Sequence, residues 1–283
     1  MRRKLAEVAS VILGLALVIW SLTPVYNMLL IALDRDEGDI EFAGIIWPPD
    51  PSLHSFYTVL TQGYWLVEDF WRQFGHSFFI GLMTMALTTL IGSLASFALG
   101  RLRVSKSWLV LNAPLLTYAV PASFLVIPFS RLMASYGLSN SLWAIVAANV
   151  TFAAPYAILI LRQYATLIPI ELDQAAQVDG ASPVQMYRLI YLPLMAPALA
   201  AVGTFALLLA WNEYLYQYVL LSSTRNMTVA VAIAQFFNSD EAPWNYMMAT
   251  AIIYSLPPIV IFYALRPFMA AGLMRGERTR GSR

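Results

Sequence analysis

Few side chains in this sequence could carry chemistry, and their placement narrows what that chemistry is. Glu213 stands in Trp211-Asn212-Glu213-Tyr214, the one formal charge within the long apolar stretches. A carboxylate beside Asn212 and Tyr214 offers hydrogen bonds and aromatic faces to a polyhydroxy solute. The same residues also make an interfacial aromatic belt, so both readings of this step stay open. His54 and His76 do not fall at a metal-ligand spacing and read as loop and interface residues. There is no cysteine, which excludes disulfides, thiolate metal sites and a cysteine nucleophile. No Ser-His, His-rich or carboxylate-pair constellation falls in the apolar stretches, which disfavours a membrane enzyme. No G-x-x-x-x-G-K-[ST] phosphate loop occurs either, so the chain offers no ATP site of that kind.

A second polar feature interrupts the apolar pattern at residues 171–197, ELDQAAQVDGASPVQMYRLIYLPLMAP. Pro169 suits the first turn of a helix, where its missing N–H would be unbonded anyway. Residues 170–179 favour helix, with Leu172, Ala175 and Ala176 on one flat face at three- and four-residue spacing. Gly180 suits the left-handed residue that ends a helix, and Ser182, Pro183 and Gln185 form a Ser-x-x-Gln capping box that starts a second one. Pro193 and Pro197 then predict a bend back toward the apolar stretch. The product is a helix–turn–helix knob showing small side chains where another backbone could approach closely. The alternative is a plain helical loop packed on its own bundle.

The elements that must position these residues follow from hydropathy. The chain has 283 residues, 59% hydrophobic and 12% charged, with mean hydropathy +0.65 and net charge +1. That is far more apolar than a soluble domain, and the balance suggests no nucleic-acid partner. It reads as an all-α integral membrane protein with one transmembrane domain, 1–283. A helical crossing takes about 20 apolar residues. Six stretches qualify: 8–33, 77–99, 109–130, 142–161, 194–218 and 247–265. The first follows Arg2, Arg3 and Lys4, but its apolar run is too long for a signal peptide, so it is expected to remain as an anchor. Alternate loops hold 13 of the 17 basic residues, Arg101, Arg162, Arg188 and Arg266 among them, against Arg35, Arg72, Arg131 and Arg225 on the other side. Basic loops stay inside, which places both termini and the loop 168–193 in the cytoplasm. The outer loops, 34–75 and 219–246, carry tryptophans and tyrosines that suit contact with membrane lipid or a partner as well as a solvated linker. Pro114, Pro121 and Pro128 recur every seven residues in the third span, which predicts a bent helix inside the bundle, either a plain kink or the lining of a pathway that changes shape.

The 168–193 segment resembles the EAA motif of the membrane subunits of ATP-binding cassette (ABC) importers, whose sugar branch runs close to I-P-x-E-L-x-E-A-A-x-x-D-G-A-[ST] with a later L-P step. Here it stands as Ile168, Pro169, Glu171, Leu172, Gln174, Ala175, Ala176, Asp179, Gly180, Ala181 and Ser182, then Leu192-Pro193. Gln174 replaces the family's usual glutamate, removing a charge while keeping hydrogen-bonding capacity. The likeness extends along nearly the whole chain, most closely to the maltose-type second permease of carbohydrate importers: Ala98-Leu99-Gly100-Arg101, Pro121, Ile127-Pro128, Gly137-Leu138, Ala154-Pro155, Trp211-Asn212-Glu213 and the closing Gly272-Leu273 with Gly276 follow in family order. After Gly276 the sequence departs, with Glu277, Arg278, Thr279 and Arg280.

The resemblance implies a type I ABC importer permease fold with six transmembrane helices in the bacterial inner membrane. It implies a second homologous permease, two ATPase subunits that bind ATP and Mg in this chain's stead, and an extracytoplasmic solute-binding protein met by the 219–246 loop. Glu171, Leu172, Gln174, Ala175, Ala176, Asp179, Gly180, Ala181 and Ser182 would then couple to the ATPase, and Pro121, Asn212, Glu213 and Tyr214 are the candidates for a substrate pathway. The solute class implied is a sugar, sugar alcohol or glycoside. A non-sugar ABC permease and a secondary transporter are the rivals. The latter would usually need buried charge pairs or an internal repeat, and here only one span carries a charge.

Overall fold

The computed structural model describes residues 2–35, 46–102, 113–238 and 243–280. Among them every regular element is helical. In chain order these are α1 (Arg2–Leu33), α2 (His54–Leu60), α3 (Phe70–Arg101), α4 (Ala122–Ser135), α5 (Leu142–Ala165), α6 (Ile170–Val178), α7 (Pro183–Trp211), α8 (Leu215–Leu220), α9 (Val229–Phe236) and α10 (Trp244–Arg280). Among the described residues five helices are long and apolar enough to cross a membrane: Ala6–Leu33, Trp65–Arg101, Leu142–Ala165, Pro183–Trp211 and Trp244–Met269.

Two expected spans are interrupted. The third begins as the 3-10 helix Ala113–Ala119, breaks at Val120 and Pro121, and resumes as α4; residues 109–112 lie outside the described ones. Pro121 precedes α4 with φ −55° and ψ 132°, an extended setting that the proline ring favours and the α-helix does not use. Only one face of this stretch packs in the bundle of its own chain, through Val126, while Leu116, Phe124 and Ile127 are exposed. The fifth span ends at Trp211 and restarts as α8, while at its other end it begins at Pro183 and passes straight through Pro193 and Pro197. Just before Pro193, where the bend was expected, stands a π-helical turn, Met186–Tyr191. A proline at 193 crowds the carbonyl four residues back, and the wider turn just before it moves that carbonyl aside.

Contacts divide the chain into two units, Met1–Arg72 with Ala232–Leu256, and Gln73–Val231 with Pro257–Arg283. In the first, the described part of the expected outer loop 34–75 is folded rather than linker-like. Val59, Leu66, Val67 and Phe70 are buried, Trp71 Nε1 donates to Leu60 O at 2.9 Å, and the Tyr64 and Tyr246 rings pack at 5.2 Å. Helix α3 accordingly starts at Phe70, ahead of the expected Ser77. His54 tilts against Tyr246 in this unit; His76, in the second unit, places Nδ1 3.0 Å from Met227 O.

The second unit is built on close helix contacts. A Cβ added at Gly92 of α3 would stand 3.0 Å from Ala157 Cβ and 3.1 Å from Leu161 Cδ1 of α5, and one at Gly81 would meet Leu207 and Trp211 of α7 at 3.1 Å. Small residues at such crossings let backbones approach where lipid supplies no hydrophobic drive. Gly92→Leu is therefore expected to cost about 1–3 kcal/mol by overpacking, read as a lower midpoint of thermal unfolding in detergent. Gly75→Leu on the same helix, where nothing lies within 4 Å, is the control and should change nothing.

Candidate functional site

The 168–193 segment belongs to the second unit. Pro169 sits one position before the expected first turn, as the residue flanking α6, with φ −56° and ψ 135°. Three bonds close the helix: Asp179 N–H to Ala175 O at 3.0 Å, Gly180 N–H to Gln177 O at 3.1 Å and Ala181 N–H to Ala176 O at 2.9 Å. Gly180 takes φ +77° with nothing within 4 Å of its would-be Cβ, so the dihedral and not space demands glycine. The capping box forms in both directions: Ser182 N–H donates to Gln185 Oε1 at 2.8 Å and Gln185 N–H to Ser182 Oγ at 3.3 Å.

Three anchors hold this knob to the bundle, and sequence reasoning did not identify them. The π-helical turn brings Tyr187 and Tyr191 onto α3, where their hydroxyls lie 2.7 Å from Ser93 Oγ and Ser96 Oγ and their rings pack on Phe97 at 5.3 and 5.1 Å. The four-residue spacing of the tyrosines was a usable signal for a shared face. Ala176, 8% exposed, packs with Ile168, Met186 and Tyr191 in the chain's own core. The face expected for docking is thus split, for Ala175 and Leu172 point outward while Ala176 points in. Finally, Arg101 at the end of α3 donates from Nη1 to Asp173 Oδ2 at 2.7 Å, and from Nη2 to Ala165 O at 2.8 Å and Ile168 O at 2.9 Å. Arg101 and Asp173 stand 72 residues apart, and no local pattern pairs them.

Facing outward are Glu171, Leu172, Gln174, Ala175, Asp179, Gly180 and Ser182, with Ala181 half-buried. Around them lies an apolar rim, Leu167, Val178, Val184 and Leu189, of which Val178 is 88% exposed. A concavity of ≈ 380 Å³ lies alongside, lined by Gly100, Arg162, Thr166, Pro169 and Glu171 among others. Exposed apolar side chains are thus interspersed with the polar ones on this face.

The candidate pathway residues also come together. Glu213 caps α8, its carboxylate accepting from Tyr216 N–H at 2.7 Å and Gln217 N–H at 3.1 Å, which is why the fifth span can break and restart there. Asn212 Nδ2 donates to Leu208 O at 2.8 Å, closing the helix before the break. Tyr216 then reaches the other interruption, donating to Ala122 O at 2.8 Å, next to Pro121, while its ring packs on Phe129 and Phe152. The two broken spans therefore meet at their breaks, and the exposed Tyr214 and Tyr218 stack beside them with centroids 5.5 Å apart. Irregular backbone within a membrane-spanning segment is tolerated where it is buried in protein or lines a wet cavity.

Part of the expected outer loop 219–246 is likewise structured. Asn140, at φ 54°, accepts on Oδ1 from Ser222 N–H at 3.0 Å and Ser223 N–H at 3.3 Å, and its carbonyl accepts from Asn226 Nδ2 at 2.5 Å. Helix α9 and the start of α10 also fall in this loop, with Phe236 buried and Phe237 exposed; residues 239–242, Asp240 among them, lie outside the described ones. Asn140→Gly keeps the positive φ but removes four side-chain bonds. It is expected to raise hydrogen exchange at Ser222 and Ser223 about tenfold, as for loss of roughly one net hydrogen bond per amide; unchanged exchange would make the Asn140 contacts incidental.

Residues 90–274 match the family described as the binding-protein-dependent transport system inner membrane component. The chain belongs to this family. The family match takes in the knob, both interrupted spans and the Asn140 turn. Among relatives, the inner membrane ABC transporter permease protein YcjP of Escherichia coli is 28% identical over 93% of both chains. The trehalose transport system permease protein SugB of Mycobacterium tuberculosis is 33% identical over 70% of this chain and 73% of its own. The arabinooligosaccharides transport system permease protein AraQ of Halalkalibacterium halodurans is 27% identical over 98% and 99%. A chain in the crystal structure of a bacterial ABC transporter involved in import of the acidic polysaccharide alginate superposes with TM-score 0.77 at 20% identity, covering 94% of this chain and 96% of that one. The fold is therefore that of an ABC importer permease.

Proposed function

We propose that this chain is the permease subunit of an ABC importer that moves a carbohydrate (a sugar, sugar alcohol or glycoside) across the bacterial inner membrane by alternating access. It pairs with a second, homologous permease, two ATPase subunits hold the ATP and Mg, and an extracytoplasmic solute-binding protein delivers the substrate. The observation that carries this reading is the knob at 170–185: a capped, glycine-turned helix pair, anchored by tyrosines and an ion pair, that presents Ala175 within an apolar rim. The sugar class is supported by the substrates named in the relatives SugB and AraQ, and by the tyrosine stack at the meeting of the two broken spans. Both termini and the knob face the cytoplasm in this reading, as the basic loops require.

In this scheme, closure of the ATPase dimer presses on the knob, and the anchored helices α3, α5 and α7 carry the displacement to the breaks at Pro121 and Asn212. Catalysis of ATP hydrolysis stays with the partner. The test is reconstitution in liposomes. Uptake of di- and oligosaccharides should require ATP, the ATPase and loaded binding protein together, whereas uptake driven by an ion gradient with this chain alone would replace the reading with a secondary transporter. Single cysteines at Gln177 and Glu68 should label from opposite faces of the membrane. Labelling of both by an impermeant reagent in intact cells would overturn the orientation.

A further inference from the structure

We infer that the Arg101–Asp173 pair is a positioning joint that makes α6 move as one body with the ends of α3 and α5, an inference that rests on the coupling role proposed above. Of the nine residues of α6 only Asp173 and Ala176 are buried. An alanine offers a small contact that cannot by itself stop the helix from rolling, so Asp173 supplies the one directional anchor that α6 buries. Its partner is shared. The Arg101 guanidinium also holds the carbonyls of Ala165, the last residue of α5, and of Ile168 in the link to α6. Carbonyls at a helix end have no intrahelical donor, and a planar fork of five donors meets three acceptors in fixed directions, where a lysine offers only a rotating point charge on a flexible stem.

The side chains of Arg101 and Asp173 are 6% and 9% exposed. Taking two charges this far from water is of uncertain benefit to stability, and the best-attested use of such a pair is to fix one register of the elements it joins. Here the joined elements are the cytoplasm-facing ends of two spans and the helix that presents Ala175 and Val178. Only four residues, Thr166 to Pro169, separate α5 from α6, and Pro169 stiffens that link. A push on α6 then displaces α3 and α5 instead of bending the link. Asp173→Ala cuts the tie to α6 but leaves Arg101 on Ala165 and Ile168; Asp173→Asn keeps a neutral acceptor of the same shape.

The experiment uses the complete reconstituted importer, with spin labels on cysteines at exposed Gln163 and Gln177, which the cysteine-free chain accepts without background. Wild type should give a narrow 163–177 distance distribution that holds through turnover. Asp173→Ala should broaden it, keep the ATPase at wild-type levels, and lower transport per ATP hydrolysed by about tenfold, within the range that site–site coupling usually spans. Asp173→Asn should recover part of both signals. A merely structural role would reduce the amount of inserted complex without changing transport per ATP. Unchanged transport per ATP in Asp173→Ala, or an unchanged distance distribution, would overturn the joint while leaving the coupling role intact. If Asp173→Ala does not insert, the same two readouts in Asp173→Asn decide. Failure of the wild-type chain to retain an ATPase would instead overturn the coupling role, and the joint's function with it.

Discussion

Ala175→Trp is expected to insert at wild-type levels and to lose most of the ATPase that co-purifies with the chain. Ala175 is exposed on α6, beside Val178 and within the apolar rim, so an indole there disturbs nothing in this chain. It would stand instead between α6 and whatever surface closes on it. Overpacking a fitted contact costs about 1–3 kcal/mol, which lowers the partner's affinity by about 5–150-fold. Ala176→Trp, one residue on, should behave differently. That side chain lies in the core with Ile168, Met186 and Tyr191, so the bulk falls on the chain's own packing and the yield of folded protein drops first. Co-purification measured at equal amounts of inserted protein separates the two. If Ala175→Trp binds the ATPase as wild type does, the outer face of α6 is not the docking surface.

Arg101→Met is expected to be among the most destabilising single changes in the second unit. It leaves the Asp173 carboxylate buried without its partner and takes the donor from Ala165 O and Ile168 O together. Breaking a buried pair from one side costs about 3–5 kcal/mol, visible as a lower unfolding midpoint and as faster proteolysis within 166–182. Adding Asp173→Leu should recover much of the loss, because apolar replacement of both partners removes the stranded charge; the guanidinium's bonds to Ile168 O and Ala165 O stay lost, though Ala165 O keeps the Ile168 N–H at 3.2 Å, so recovery is incomplete. A loss below about 1 kcal/mol in the single variant would mean that water reaches the pair and that it is a surface contact in effect.

What the sequence determined by itself is what short-range physics decides. Gly180 at a positive φ and the Ser182-x-x-Gln185 box were legible because a left-handed turn and a cap involve residues no more than three or four apart. The long apolar helices were legible because lipid forbids unpaired backbone over the whole of a crossing.

Tertiary structure alone decided the rest. Hydropathy averaged across residues 109–130 and 194–218 concealed their interruptions, because Pro121 and Glu213 break helices by dihedral and by capping without making the stretch polar. Periodicity put Ala175 and Ala176 on one face, yet neighbours on a helix are about 100° apart, and only the position of Met186 and Tyr191 decides which of the two turns inward. Arg101 looked like an ordinary basic residue at a span end; it became the joint of three elements because folding carries Asp173 to it across 72 residues, and no local rule encodes a contact at that separation.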